Sequence, residues 1–271
     1  MLVLKSDIPA NNANLPRWSL TDEEMAILRL NPTAWVESDS GVVLNNGNVT
    51  AVRDKTGKAT WYPAGSRSPT IKLFNEKPAF YFGNGVANSG ALRAGNGYQS
   101  IPANGIYSLF LLYRIPVPNT EGRAGTGGNI AGNNEAPGEW LRFRFGSDTY
   151  LDDTIFLNHG GKPVSGAPEN YPINSHTAGW RDSHFHISLI QAGADFHRWE
   201  IDNVLLQETP WPARPFQTDA SRQLIIGGAA NPLEIGFQGE IAALLMLPGE
   251  LRDGAKALIY DRFTAMKEVR T

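Results

Sequence analysis

The sequence predicts an all-β protein, a two-sheet antiparallel sandwich of jelly-roll type with one short helix near its start and another at its end. Three observations predict it. Short apolar or alternating runs recur between turn signals spaced roughly every 8–12 residues, the rhythm of a sandwich or jelly roll. Glycine and proline are abundant, 28 and 18 of 271 residues, which favours turns over a helical bundle. Only two segments, 21–30 and 251–266, carry a helical period.

In chain order, Thr21-Asp22-Glu23-Glu24 matches a capping box and opens a helix that Asn31-Pro32 stops. Met25, Ile27, Leu28 and Leu30 supply its apolar face. Strands are then expected at Trp35–Asp39, Val49–Arg53, Ala79–Phe82 and Tyr107–Arg114. Trp140–Phe145 alternates, with aromatics on one face, and His184–Ile190 follows. Arg198–Ile201, Asp202-Asn203 and Val204–Leu206 read as a hairpin. Gln223–Ile226 and Phe237–Met246 are the last strands, and a helix over Leu251–Met266 closes the chain. Pro118–Gly138 and Asn158–Trp180 are expected to be long loops, which in compact domains are usually either functional or disordered. Phe80, Phe82, Leu109, Leu111, Ile187, Leu189, Ile225 and Ile241 alternate on these strands and are expected between the two sheets.

Composition excludes several classes. The chain has 24 Lys+Arg against 27 Asp+Glu, without the basic excess of a nucleic-acid binder. With no cysteine, disulfides and thiolate metal sites are impossible. No apolar run approaches the roughly 18 residues of a membrane helix, so no membrane insertion is expected. Met1–Asp7 lacks the apolar core of a signal peptide, so the expectation is a chain used without Sec export.

Two units are expected: an arm over 1–18 and one sandwich domain over 19–271. The arm is polar, aperiodic and interrupted by Pro9 and Pro16, and Leu2, Val3, Leu4, Ile8 and Leu15 are its only aliphatics larger than alanine. Ordering backbone costs about 1–2 kcal/mol per residue. Five aliphatics cannot offset that over the arm at about 1.5–3 kcal/mol each. The arm is therefore expected to dock on another chain, with Leu2-Val3-Leu4 added to a partner's sheet edge.

The last third is the most specific. His184–Leu189, then Arg198-Trp199-Glu200-Ile201-Asp202-Asn203-Val204-Leu205-Leu206, then Gln223–Gly228 and Phe237-Gln238-Gly239-Glu240-Ile241-Ala242, resemble the concanavalin A-like lectin/glucanase superfamily, and in particular its laminin G-like jelly rolls. Pro78–Gly85 resembles an earlier strand of the same pattern, and the resemblance spans about residues 35–268. Asn203 stands where that pattern has glycine, which a positive-φ turn tolerates. The arm ahead of a jelly roll also resembles the architecture of bacteriophage virion proteins. The resemblance implies a fold, and no ligand.

Several constellations could carry chemistry. Retaining glucanases of the superfamily place three carboxylates on alternate positions of one strand, two of them close enough for double displacement. Glu200 and Asp202 match two of them, but Val204 and Leu205 are apolar where the third belongs, so no catalytic residue is expected. His184 and His186 share a strand face, with His197 as a third potential zinc ligand, but solvated or satisfied histidines are the expectation. Asp148, Asp152 and Asp153 crowd a loop as calcium oxygen ligands do, and a solvated turn is preferred; no cofactor is expected beyond that calcium option. Trp180, Trp211, Tyr98 and Tyr171 sit in or near loops and are the candidate ligand-binding aromatics.

The expected function is a non-enzymatic structural or binding module of a phage particle, attached by its arm to other virion proteins or to copies of itself, and contacting host-surface glycan. The alternatives are a glycan hydrolase or lyase on the same sandwich, or a free cytoplasmic lectin.

Overall fold

The computed structural model describes residues 20–64, 68–82, 90–116, 128–133, 139–145, 155–161, 173–177, 182–210, 215–216, 222–228, 237 and 239–270. Its elements begin with α1 (Asp22–Arg29), β1 (Ala34–Glu37), β2 (Val42–Asn45), β3 (Asn48–Arg53), β4 (Thr60–Ala64), β5 (Thr70–Phe74), β6 (Lys77–Tyr81), β7 (Ala91–Ala94) and β8 (Tyr107–Arg114). They continue with β9 (Gly128–Asn133), β10 (Glu139–Phe145), β11 (Ile155–Gly161), β12 (Ile173–Thr177), β13 (Phe185–Ala192), β14 (His197–Ile201), β15 (Val204–Thr209), β16 (Leu224–Ile226), β17 (Glu240–Pro248) and α2 (Asp253–Glu268). The arm, residues 1–18, lies outside the described residues.

All strand pairs are antiparallel. One layer runs β15-β14-β13-β8-β17, with β1 and β6 sharing the outer edge of β17. The other runs β2-β3-β4-β7-β16-β9-β10-β11-β12. The β5–β6 hairpin crosses between them, pairing through β6 with β17 and through Thr70 with Asn48 of β3, so the ladder is continuous around one end of the sandwich. The predicted antiparallel sandwich is therefore present, with both helices.

Between the layers lie Trp61, Phe80, Phe82, Leu109, Leu111, Tyr113, Phe143, Trp199, Ile241 and their neighbours. A second apolar cluster covers the opposite face of the β8–β13–β17 layer. There Trp35, Phe110, Leu112, Phe185, Ile187 and Leu189 meet Ile27 of α1 and Ile259, Tyr260, Phe263 and Met266 of α2. The central strands are thus buried on both faces and read as near-continuous apolar runs.

Three core assignments are corrected, two of them by that double burial. Ile187 and Leu189 face the helices, because Ile190 and Ser188 take the inner positions of β13. Ile225 is buried but belongs to neither cluster, while its neighbours Leu224 and Ile226 point inward. Leu141 joins Phe143 in the inner core. Both expected loops also contain strands, β9 in the first and β11 and β12 in the second. Gly128-Asn129-Ile130-Ala131-Gly132-Asn133 has little strand propensity and is held by pairing with β10 and β16.

The turns follow their chemistry. Asp202 and Asn203 both take positive φ, 49° and 62°, which closes a two-residue hairpin between Ile201 and Val204. Asn46 and Gly47 do the same for β2–β3. Gly227 has φ +75° and lies so close to Phe82 that a Cβ would sit 2.1 Å from its ring, so only glycine fits.

A buried charge cluster pins α1 and α2 to the sandwich. Thr21 and Glu24 form the predicted capping box, with Thr21 N–H donating to Glu24 Oε2 at 2.9 Å. The other oxygen of Glu24 meets Lys55 Nζ at 2.6 Å and Arg262 at 3.2 Å. Lys55 and Arg262 also meet the fully enclosed carboxylate of Glu37, Arg262 at 3.0 Å. Trp35 Nε1–H donates to the same carboxylate at 2.9 Å. Arg262 also reaches Glu23 at 3.5 Å, so the cluster joins charges from α1, β1, the β3–β4 turn and α2.

Lys55→Met should destabilise the protein by about 3 kcal/mol, the low end for a broken buried pair because Arg262 still faces Glu37. Leu109→Ala should cost about 2–5 kcal/mol. Urea unfolding measures both, and unmoved midpoints would contradict the packing.

Candidate functional site

Glu200 and Asp202, the carboxylates that match the glucanase pattern, lie beneath α2. Glu200 accepts from Lys256 Nζ at 2.7 Å and from the Tyr260 hydroxyl at 3.1 Å. Burial first, and the Glu200 charge second, push the Tyr260 phenol up, so it remains a donor. Asp202 Oδ1 accepts the Ile187 N–H at 3.0 Å and Lys267 Nζ at 2.8 Å, and its Oδ2 meets His186 Nδ1 at 2.7 Å. Each carboxylate is therefore engaged in holding the helix or the hairpin. Val204 and Leu205, where a third carboxylate belongs, are exposed apolar residues.

His186 is clamped on both ring nitrogens, its Nε2 lying 2.9 Å from Asp182 Oδ1. Burial of the ring opposes its charge, but the bonds to Asp202 and Asp182 prevail and hold the imidazole above its ordinary value. Burial likewise raises Asp202, but His186, Lys267 and the Ile187 N–H outweigh it and bring the carboxyl down to about 2. The histidines do not assemble into a zinc site. His184 is exposed beside Asp182, while His197 pairs across from Ala192 at the far end of β13 from His186. Among the described residues, no group of three or more His, Asp or Glu side chains is placed to hold a metal. No helix among them is long and apolar enough to cross a membrane.

Of the four candidate aromatics, Tyr98 is described. Its ring packs against the inter-sheet core and its hydroxyl donates to the Thr33 carbonyl at 2.9 Å. Trp180, Trp211 and Tyr171 lie outside the described residues, as do Asp148, Asp152 and Asp153 and the arm residues Leu2, Val3, Leu4, Ile8 and Leu15.

The structure adds a site the sequence reading missed. A cleft of about 510 Å³ opens where β5–β6 crosses between the layers. The β2–β3 turn contributes Asn45, Asn46 and Asn48, and β3 adds Thr50. Ser68, Pro69 and Thr70 face them, and Tyr81, Phe82 and Gly90 complete the lining. The two walls are pinned by the Asn48–Thr70 bridge and by the Val49 N–H, which donates to the Pro69 carbonyl at 2.8 Å. Among the described residues, no Asp, Glu, Lys, Arg or His lines the cleft. Lys72 Nζ lies 3.3 Å over the Tyr81 ring and 3.2 Å from the buried Glu240, which Arg114 also meets at 2.9 Å. Asn45-Asn46-Gly47-Asn48 is a hairpin signal in the sequence, but only the fold brings it to residues 68–70 and Tyr81.

No family model and no curated protein matches the sequence. Solved structures match the fold. Domain 4 of AbnA, an extracellular GH43 arabinanase from Geobacillus stearothermophilus solved with arabinotriose, is similar with a TM-score of 0.53 at 14% identity, over 89% of this chain and 98% of that one. The binding domain of botulinum neurotoxin DC, solved with rat synaptotagmin II, is similar with a TM-score of 0.55 at 10% identity, over 85% of this chain. Trypanosoma rangeli sialidase with the inhibitor DANA gives 0.54 at 15% identity, over 84% of this chain. The chain spans 51% of that toxin chain and 32% of the sialidase chain. At these identities the likeness shows a shared β-sandwich fold.

The clamp sets a pH dependence. A histidine held above its unfolded value of 6.5 contributes stability that is complete below that pH and is lost as pH rises through the folded value. Asp202 acts in the opposite sense, its contribution being lost as pH falls from 3.8 towards about 2. The thermal midpoint should therefore fall as pH rises above 6.5, and His186→Asn should remove that component. A flat profile in the parent protein would contradict the clamp.

Proposed function

We propose that the chain is a non-enzymatic binding module that recognises a glycan. The observation that carries this reading is the cleft that presents side-chain amides and hydroxyls, on a sandwich whose Glu200 and Asp202 are committed to α2 and the β14–β15 hairpin. Fixed polar groups that can orient a polar ligand are what a binding site needs. A hydrolase needs a pair of carboxylates on either side of a scissile bond, and this pair is occupied by Lys256, Tyr260, His186 and Lys267. Neighbours solved with arabinotriose and with rat synaptotagmin II lend support to a binding role for the fold. Fold likeness alone does not assign a ligand.

The particle assignment belongs to the same proposal. The sequence of residues 1–18 suits strand addition to a second chain, either a virion protein or another copy of this one. A free cytoplasmic lectin would have no use for such an arm.

Incubation with a panel of bacterial and plant β-glucans should release no reducing ends. Reducing ends that disappear in Glu200→Gln would overturn the non-enzymatic reading. A chain beginning at Arg17 should fold, keep its sugar binding and fail to join its particle or oligomer; full assembly without residues 1–16 would overturn the arm's role.

A further inference from the structure

We infer that Asn46 is a site of spontaneous covalent modification, losing its side-chain amide as ammonia and leaving aspartate and isoaspartate in the β2–β3 turn. The inference is independent of the ligand reading.

An asparagine carboxamide can be attacked by the main-chain nitrogen of the next residue. A side chain on that residue hinders the approach, and glycine has no Cβ to do so. The Gly47 nitrogen, its proton lost to hydroxide, forms a bond to Asn46 Cγ; the Cγ–Nδ2 bond breaks and ammonia leaves. One water then opens the five-membered imide. Opening at Cγ restores the main chain with an aspartate. Opening at the main-chain carbonyl leaves isoaspartate, with the chain running through Cγ. One water is consumed, one ammonia is released, and nothing is oxidised or reduced.

The fold ranks the candidates. The sequence has four such pairs, Asn46-Gly47, Asn84-Gly85, Asn96-Gly97 and Asn104-Gly105, and the second lies outside the described residues. Asn104-Gly105 is latched at the attacking atom. The Gly105 N–H is in a buried residue and donates to the Pro102 carbonyl at 3.0 Å, while Asn104 Oδ1 accepts the Ile106 N–H at 3.1 Å. Asn96-Gly97 lies in a tight turn closed by the Tyr98 N–H, which donates to the Gly95 carbonyl at 3.1 Å. The Tyr98 hydroxyl anchors that turn on the Thr33 carbonyl at 2.9 Å.

Asn46-Gly47 is held more loosely. Asn45, Asn46, Gly47 and Asn48 are all exposed. The hairpin slips register between Val43 and Leu44, so two pairs, Leu44–Val49 and Asn45–Asn48, close the turn beyond the irregularity. Asn48 Nδ2 reaches the Asn46 carbonyl at 3.4 Å, a long bond. Attack requires Asn46 to leave its φ 50° turn geometry, and an exposed, irregular hairpin tip opens locally at small cost. The Val49 N–H stays bonded to the Pro69 carbonyl at 2.8 Å, so the exposed β2 limb is the one that moves. Because Asn46 lines the cleft, the product puts a carboxylate in its wall.

Incubation of the full chain at mildly alkaline pH tests this, with peptide mapping by mass spectrometry that separates asparagine, aspartate and isoaspartate. Position 46 should convert about tenfold faster than 96 and 104, the factor that one retained hydrogen bond adds to the cost of opening. In heavy-oxygen water the product should take up one heavy oxygen. In urea the three rates should converge, because the folded turns set the ranking. Conversion at 96 or 104 that keeps pace with 46 in the folded chain would overturn the inference. So would an Asn46 that stays intact in the folded chain and converts only in urea.

Discussion

The β8–β13–β17 layer is apolar on both faces and must be covered twice. The second sheet covers one face, and α1 and α2 cover the other. Most of the remaining design follows from that requirement. Helices laid on a sheet bring polar edges to its margin, and those edges must be satisfied or neutralised. Glu24, Glu37, Lys55 and Arg262 do this at one margin, and Glu200, Lys256 and Tyr260 at another. Asp202, His186, Asp182 and Lys267 complete the seal around the hairpin.

This gives the carboxylates a structural explanation. Glu200 and Asp202 alternate on one face, as the glucanase pattern requires, but that face carries the helix. Glu200 is bonded there to a lysine and a phenol beneath the helix. The other end of the ladder is different. Where β5–β6 passes between the layers a cleft opens, lined by turn amides and hydroxyls beside the core ring of Phe82. A site here costs the core nothing, since its polar groups face solvent when empty.

Much of the fold was legible because its signals are local. The Thr21–Glu24 capping box, the Asp202-Asn203 turn and the apolar run of β8 each depend on neighbours in sequence, and each stands in the structure. What was not legible depends on distant partners. Ile187 and Leu189 were expected inward because alternation cannot say which face of a doubly covered strand meets the second sheet. β9 forms from glycine and asparagine because β10 and β16 present pairing edges. The cleft was hidden for the same reason. Asn46 and Tyr81 are separated by β3, β4, β5 and the turns between them, and the Asn48–Thr70 bridge brings their surroundings together. The aromatics were chosen from the sequence for their proximity to loops, and only the fold shows that the Tyr98 ring lies against the core with its hydroxyl bonded to Thr33.

The central claim is a division of labour: amides at the crossing meet ligand, while carboxylates beneath α2 hold the fold. An NMR titration of the isotopically labelled full chain with arabinotriose observes both regions at once. The side-chain amide signals of Asn45, Asn46 and Asn48 should shift with ligand, while the carboxyl signals of Glu200 and Asp202 and the ring signals of His186 stay fixed. Shifts confined to Glu200, Asp202 and His186, with the three asparagines silent, would contradict it.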